Sequence, residues 1–364
     1  MGRDTCYMLE EFTRFGGGQT VFEAVHSVMK GIFGEVRVVT DKEHPNLPAY
    51  VDQSSLIETR LSNPAWDRPL KMLPKIYQLR RELKAIPTDR FTFNNHPNVF
   101  LYNATINFGH ELFGFLGNET SKSGNLKLSI LKRFRLFNVY DGAYFLTHGE
   151  FTSRLLKDTF FKLGVSNVKI EKIDLPIHLP EKISIENKEA TVLTFGRISR
   201  DKMLQRVLEV AKLMPETRFI ISGRTQDSEL EYANYLVSNK PANVSLILNP
   251  DPETKDRLFR SAKVYLHTKV NENYGISVAE AISYGCYPVV PILGGAYEDV
   301  LQNGKIGKAY SDTEEAVCLI KEGMEATKSE HDFIFGMRHR FSIENFRDGL
   351  FRKILEPNDN ILMP

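Results

Sequence analysis

Two carboxylates eight positions apart, Glu272 and Glu280, stand at either side of Asn273, Tyr274, Gly275 and Ile276. That spacing matters because of what surrounds it. Lys263 to Thr268 is a short β-branched and aromatic run, read as a buried strand. A polar loop follows and ends at Gly275. Ile276, Ala279, Ala281 and Ile282 then suit a short helix that stops at Gly285, and Tyr287 to Ile292 is the next strand. Strand, loop, helix, strand is a βαβ unit of a parallel sheet. It sets the loop and the helix start at the carboxyl edge, where ligands of open α/β sheets bind. The backbone N–H groups at that helix start hold a phosphate. Glu272 just before the helix and Glu280 about one turn inside it can then flank one ligand, one on a sugar and one on a ribose.

The elements around this unit repeat its pattern. Thr191 to Gly196 reads as a strand, Gly196-Arg197-Ile-Ser-Arg200-Asp-Lys202 as a loop, and Met203 to Met214 as a helix. Strands Arg218 to Ser222 and Val244 to Leu248 and helix Glu253 to Ala262 continue the alternation, which specifies a doubly wound sheet. Toward the amino end, strand Cys6 to Glu10 leads into the Gly-rich turn Phe15-Gly16-Gly17-Gly18, then helix Val21 to Lys30 and strand Glu35 to Thr40. Gly16-x-Gly18 with Asp41 superficially mimics a dinucleotide fingerprint, but Val21 occupies the place of the third glycine, so a nicotinamide enzyme is a weak reading. Pro69 to Ala85 reads as a helix with a basic face, and Lys122 to Arg135 is a second basic stretch. Solvated faces over a core are favoured for both over contact with an anionic membrane. A strand within Val99 to Phe108 ends at His110, where a histidine can polarise a substrate hydroxyl; His96 is the runner-up. The charged run Glu181 to Ala190 marks the domain boundary.

Glu272-x7-Glu280, followed by Gly285-Cys-Tyr-Pro288-Val-Val-Pro and Gly294-Gly295, resembles the donor site of glycosyltransferase family 4. The resemblance covers most of the chain and is stronger from Thr191 to Val300 than from Cys6 to Pro176. It implies a GT-B fold: two Rossmann-like α/β domains facing across a cleft, residues 1–180 for the acceptor and 181–340 for the donor, with a final helix at about 341–364 crossing back. It implies a retaining hexosyltransferase that uses a nucleotide diphosphate sugar and a glycan or lipid-linked acceptor. Glu280 is then expected to hold ribose hydroxyls and Glu272 the hydroxyls of the sugar. Gly196-Arg197…Lys202 resembles the family's Gly-Arg…Lys pair, and fixed cations stabilise charge developing on a leaving diphosphate. The amides at Tyr274, Gly275 and Ile276 share that role, and Asn273 is expected to be a further donor-binding residue. Gly17 and Gly18 match the family's Gly-Gly turn facing the donor phosphate, and His110 matches its histidine beside the transferred sugar. His148 stands where the family's Ser-Glu-Phe-Thr-like turn has serine. No metal or other cofactor is required, and the sequence offers no D-x-D triplet for one. The competing readings are a non-catalytic nucleotide-sugar-binding protein and a sugar-nucleotide epimerase on the same fold.

Composition sets outer bounds. A chain of 364 residues suits two domains rather than one core. A formal net charge of +1 gives no global field for nucleic acid. Cys6, Cys286 and Cys318 lie far apart, without metal spacing, as in a reducing compartment. No apolar run reaches membrane-span length and no signal-peptide core is present. The expected location is cytoplasmic, with a peripheral place at the membrane face left open by the basic helices.

Overall fold

The computed structural model describes residues 5–12, 17–42, 44, 46–59, 69–87, 90–97, 101–109, 129, 131–181 and 183–355. The chain divides into two compact units, Met1–Ile173 with Gly349–Pro364, and Asp174–Asp348.

The first unit contains strands β1 (Thr5–Leu9), β2 (Glu35–Asp41), β3 (Leu56–Thr59), β4 (Phe91–Asn94), β5 (Ile106–Phe108), β6 (Tyr144–Thr147) and β7 (Lys169–Lys172). They form a sheet in the order β3-β2-β1-β4-β5-β6-β7, and every pairing is parallel. Its described helices include α1 (Gly17–Ile32), α2 (Pro69–Leu83) and α3 (Glu150–Leu163). Parallel strands covered on both faces need apolar residues at successive positions rather than at alternate ones. Cys6-Tyr-Met-Leu9 and Ile106-Asn-Phe108 show that pattern and are buried throughout. Helix α2 and helix α3 share a core cluster built on Ile76, Leu131, Tyr140, Phe145, Leu156 and Phe160.

The second unit contains β8 (Glu189–Phe195), β9 (Arg218–Gly223), β10 (Val244–Leu248), β11 (Ala262–Leu266), β12 (Tyr287–Pro291) and β13 (Lys308–Tyr310) in the order β10-β9-β8-β11-β12-β13, again all parallel. Its helices are α4 (Gln205–Leu213), α5 (Leu230–Asn239), α6 (Pro252–Ser261), α7 (Ile276–Ser283), α8 (Thr313–Glu325) and α9 (Lys328–Gly336). The last helix, α10 (Ile343–Leu355), begins in the second unit, and its residues from Gly349 onward group with the first. Both sheets therefore have the doubly wound order in which the chain starts at the centre, builds outward, and returns to build the other side.

Two expectations change. Helix α1 starts at Gly17 instead of Val21, so Gly17 and Gly18 are its opening residues and not a turn before it. The periodicity of large apolar residues starts only at Val21, which hides a first turn made of glycines. Strands β3 and β13 and helix α5 had no sequence counterpart; β3 has four residues and β13 three, too few to show a period.

Candidate functional site

In the second sheet the order reverses between β8 and β11. Their carboxyl ends release two loops at one place, Gly196–Lys202 and His267–Gly275. The Thr268 hydroxyl donates to the Lys202 carbonyl at 2.7 Å and ties the loops together. Glu272 is then enclosed. Its side chain is 12 % exposed. The Lys202 ammonium donates to its Oε2. Lys269 Nζ lies 3.6 Å from Oε1, and His267 Nε2 lies 3.7 Å from Oε2. Burial raises the Glu272 pKa, but Lys202, Lys269 and His267 act against it and hold the carboxyl well below its ordinary range. His267 is buried, and burial is the chief reason its pKa falls to about 4. At neutral pH its imidazole is uncharged, so its proximity to Glu272 is not an ion pair.

A second carboxylate extends the cluster. Asp201 accepts from the Ser199 hydroxyl at 2.5 Å. It lies 3.3 Å from Lys269 and 3.5 Å from Arg197. Arg197, Asp201, Lys269, Glu272 and Lys202 thus form a chain of alternating charge with one cation in excess. Glu272 lies four residues before helix α7, whose first turn has neither an acidic residue nor a side-chain cap. Cations and open helix amides at one point make an anion site.

The loop is held from beneath by Gly294-Gly295. The Gly295 N–H donates to the Glu272 carbonyl at 2.7 Å, and Asn271 N–H to Leu293 at 3.0 Å. A methyl group on Gly295 would come 2.1 Å from the Asn273 carbonyl oxygen, so no side chain fits there. Gly275 caps the helix at φ 103°, in the left-handed region that favours glycine. Tyr274 is turned inward: its hydroxyl donates to Asp174 Oδ1 at 3.1 Å, and Arg340 fixes Asp174 at 2.9 Å. The side chain of Tyr274 is an anchor, leaving its backbone to the site.

Glu280, on helix α7, is paired with Lys255 at 2.6 Å. Lys255 comes from helix α6, which Asp251 caps through the Thr254 N–H at 2.7 Å. Its ammonium also lies 5.3 Å from the centre of the Phe195 ring, at the end of β8. Tyr265 sits where both Glu280 and Glu272 act on it, and burial is the main reason its pKa is raised.

The structure brings Lys202 and Glu272 into contact and links Arg197 to them through Asp201 and Lys269. Asn273, Tyr274, Gly275 and Ile276 form the adjoining turn, and Glu280 lies further along the same helix. Gly17 and Gly18 open helix α1 in the first unit. His110 lies outside the described residues. Four residues of the site were not anticipated: Lys255, Asp201, Lys269 and His267. Lys269 carries the one available signal, a cation three positions before Glu272 and immediately after a strand. In the first unit His96, the runner-up to His110, meets Glu10, a partner the sequence did not indicate. There the order reverses between β1 and β4, and Glu10 and His96 follow those strands. Both are buried, with His96 Nε2 2.6 Å from Glu10 Oε1. The Asn95 amide also donates to Glu10.

Comparison with known proteins bears on the fold. Residues 178–340 match the family model of Glycosyl transferases group 1. No curated protein sequence matches the chain. Among solved structures, the chain is similar to WaaG, a glycosyltransferase involved in lipopolysaccharide biosynthesis, at 15% identity and a TM-score of 0.68, covering 96% of this chain and 99% of that one. It is similar to HepE of Anabaena in complex with UDP and glucose, at 15% identity and 0.68, covering 96% and 98%. It is also similar to sucrose-phosphate synthase of Thermosynechococcus elongatus, at 15% identity and 0.72, covering 98% and 100%. The fold is that of the GT-B glycosyltransferases, with two parallel-sheet Rossmann-like domains.

Proposed function

We propose that the protein is a retaining glycosyltransferase that moves a hexose from a nucleotide diphosphate sugar to a glycan or lipid-linked acceptor. The observation that carries this reading is the excess of cations around Glu272, placed at the carboxyl edge of a doubly wound sheet and at a helix start. Breaking the bond between sugar and diphosphate leaves negative charge on the phosphates. Arg197 offers a planar fork, Lys202 a point charge, and the first amides of helix α7 fixed dipoles. A metal has no necessary part in such a site. Glu272 is ionised and takes hydroxyls of the sugar. Glu280 takes the ribose hydroxyls once Lys255 shares it. Two structural relatives, both HepE of Anabaena, are described in complex with UDP and with UDP-glucose, which supports a nucleotide sugar as the ligand class. Retention rests on the resemblance of the Glu272-x7-Glu280 stretch to family 4. In that scheme the leaving phosphate helps deprotonate the attacking hydroxyl, and the transition state is oxocarbenium-like.

The membrane-face location belongs to the same proposal. Tyr77, Phe134 and Phe161 are 75%, 53% and 82% exposed. They project from three segments that share the core cluster of Ile76, Leu131 and Phe160, and Arg81, Lys132, Arg133 and Lys162 are exposed beside them in sequence. Aromatic rings among cations suit an anionic interface. Among the described residues, no helix is long and apolar enough to cross a membrane.

The test is thermal shift with UDP-, GDP-, ADP- and dTDP-sugars on the wild type and on Glu280→Ala. One donor is expected to raise the wild-type Tm and to lose that effect in the variant. If none of them stabilises the wild type, the donor-site reading fails.

A further inference from the structure

Lys202 has two tasks that compete. Its ammonium already donates to Glu272 Oε2, and the reading above also asks it to meet a diphosphate. Glu272 is nearly enclosed, and stripping a buried carboxylate of its counter-ion is strongly unfavourable. Arg197 is also shared, with Asp201 at 3.5 Å, but both side chains are about half exposed and that pair is easily parted. Lys269 resolves the conflict at Lys202. It stands on the other oxygen of Glu272, Oε1, at 3.6 Å, and also 3.3 Å from Asp201. Its side chain is 25 % exposed and its ammonium lies between the two carboxylates. Moving toward either carboxylate takes it no more than about one rotamer step.

We propose that Lys269 is a positioning residue that keeps a counter-charge on the buried Glu272, while the more exposed Asp201 is left to solvent, as Lys202 and Arg197 turn to the diphosphate of the donor. Empty, the site stores its cations on its own carboxylates. Occupied, Lys269 stays on Glu272 and the two phosphate-binding cations are released. The proposal rests on the donor-site reading. It concerns the diphosphate and not the sugar, so nucleoside diphosphates without sugar are the appropriate probe.

The experiment is isothermal titration of UDP, GDP, ADP and inorganic pyrophosphate into wild type, Lys269→Gln, Lys269→Arg, Glu272→Gln and the double variant Lys269→Gln/Glu272→Gln, with folding of each checked by circular dichroism. For the probe that binds the wild type best, Lys269→Gln is expected to weaken binding about tenfold or more, which is a modest loss for one charge contact. Lys269→Arg restores most of it. In the Glu272→Gln background the same lysine substitution has a much smaller effect, because Lys202 is no longer claimed by a carboxylate. A merely structural Lys269 would cost the same in both backgrounds, and that result overturns the proposal, as does wild-type affinity in Lys269→Gln. If no probe binds the wild type, the donor-site reading falls and this inference falls with it.

Discussion

Replacing Glu272 by glutamine tests the electrostatics of the site without any ligand. The substitution keeps shape and removes one buried negative charge. Breaking a fully buried pair costs about 3–5 kcal/mol. Here the two lysines are 20% and 25% exposed at the side chain, and Lys269 keeps Asp201, so solvent and a second carboxylate absorb part of the loss. We expect about 2 kcal/mol of destabilisation at pH 7. For a unit of the size of Asp174–Asp348 that is a fall in Tm of about 4–8 °C. The pH dependence follows from the sign of the shift. Glu272 has a folded-state pKa well below its ordinary value. Its contribution is therefore fully present above the unfolded-state pKa and is lost as pH falls from there through the lowered folded value. The gap in Tm between wild type and Glu272→Gln stays constant from pH 7 down to about pH 5, then narrows as the medium becomes more acid. Differential scanning calorimetry at pH 7, 5, 4 and 3 measures it. Equal Tm at pH 7, or a gap that widens toward pH 3, refutes the assignment of a stabilising ionised carboxylate at this position.

Two other predictions follow from the geometry. Gly295→Ala puts a methyl group 2.1 Å from the Asn273 carbonyl oxygen, so the loop carrying Glu272 must move; donor-induced thermal stabilisation should be lost while the circular dichroism spectrum keeps its α/β shape, and normal donor binding would show that the loop has no part in the site. Flotation with anionic liposomes at low salt should carry the wild type upward, and replacing Tyr77, Phe134 and Phe161 together by serine should leave it at the bottom; equal flotation of both proteins would remove this face from the membrane proposal.

The parts of this molecule that were legible in the sequence are those in which one residue type has one physical use. Consecutive apolar residues in Val264–Leu266 and Tyr287–Val290 can only be strands buried on both faces, and they are. Gly275 before Ile276 marks a helix start that needs a left-handed residue, and φ at Gly275 is 103°. Gly294-Gly295 entered the sequence reading only as part of the motif, and the structure shows that they admit the backbone of the Glu272 loop. What was not legible is pairing between distant residues of common types. A lysine at 255 reads as surface charge in a chain with 47 lysines and arginines; Lys269 is three positions from Glu272, but only the parallel register that sets β11 beside β8 also makes it a partner of Asp201. The same holds for Glu10 and His96, 86 positions apart, which meet because β1 and β4 are neighbours. Motif spacing found the carboxylates, but the counter-ions that decide their charge state come from sheet order. A proposal about donor binding in such a fold is therefore tested best at Lys269 and Lys255, the counter-ions on which the sequence resemblance makes no claim.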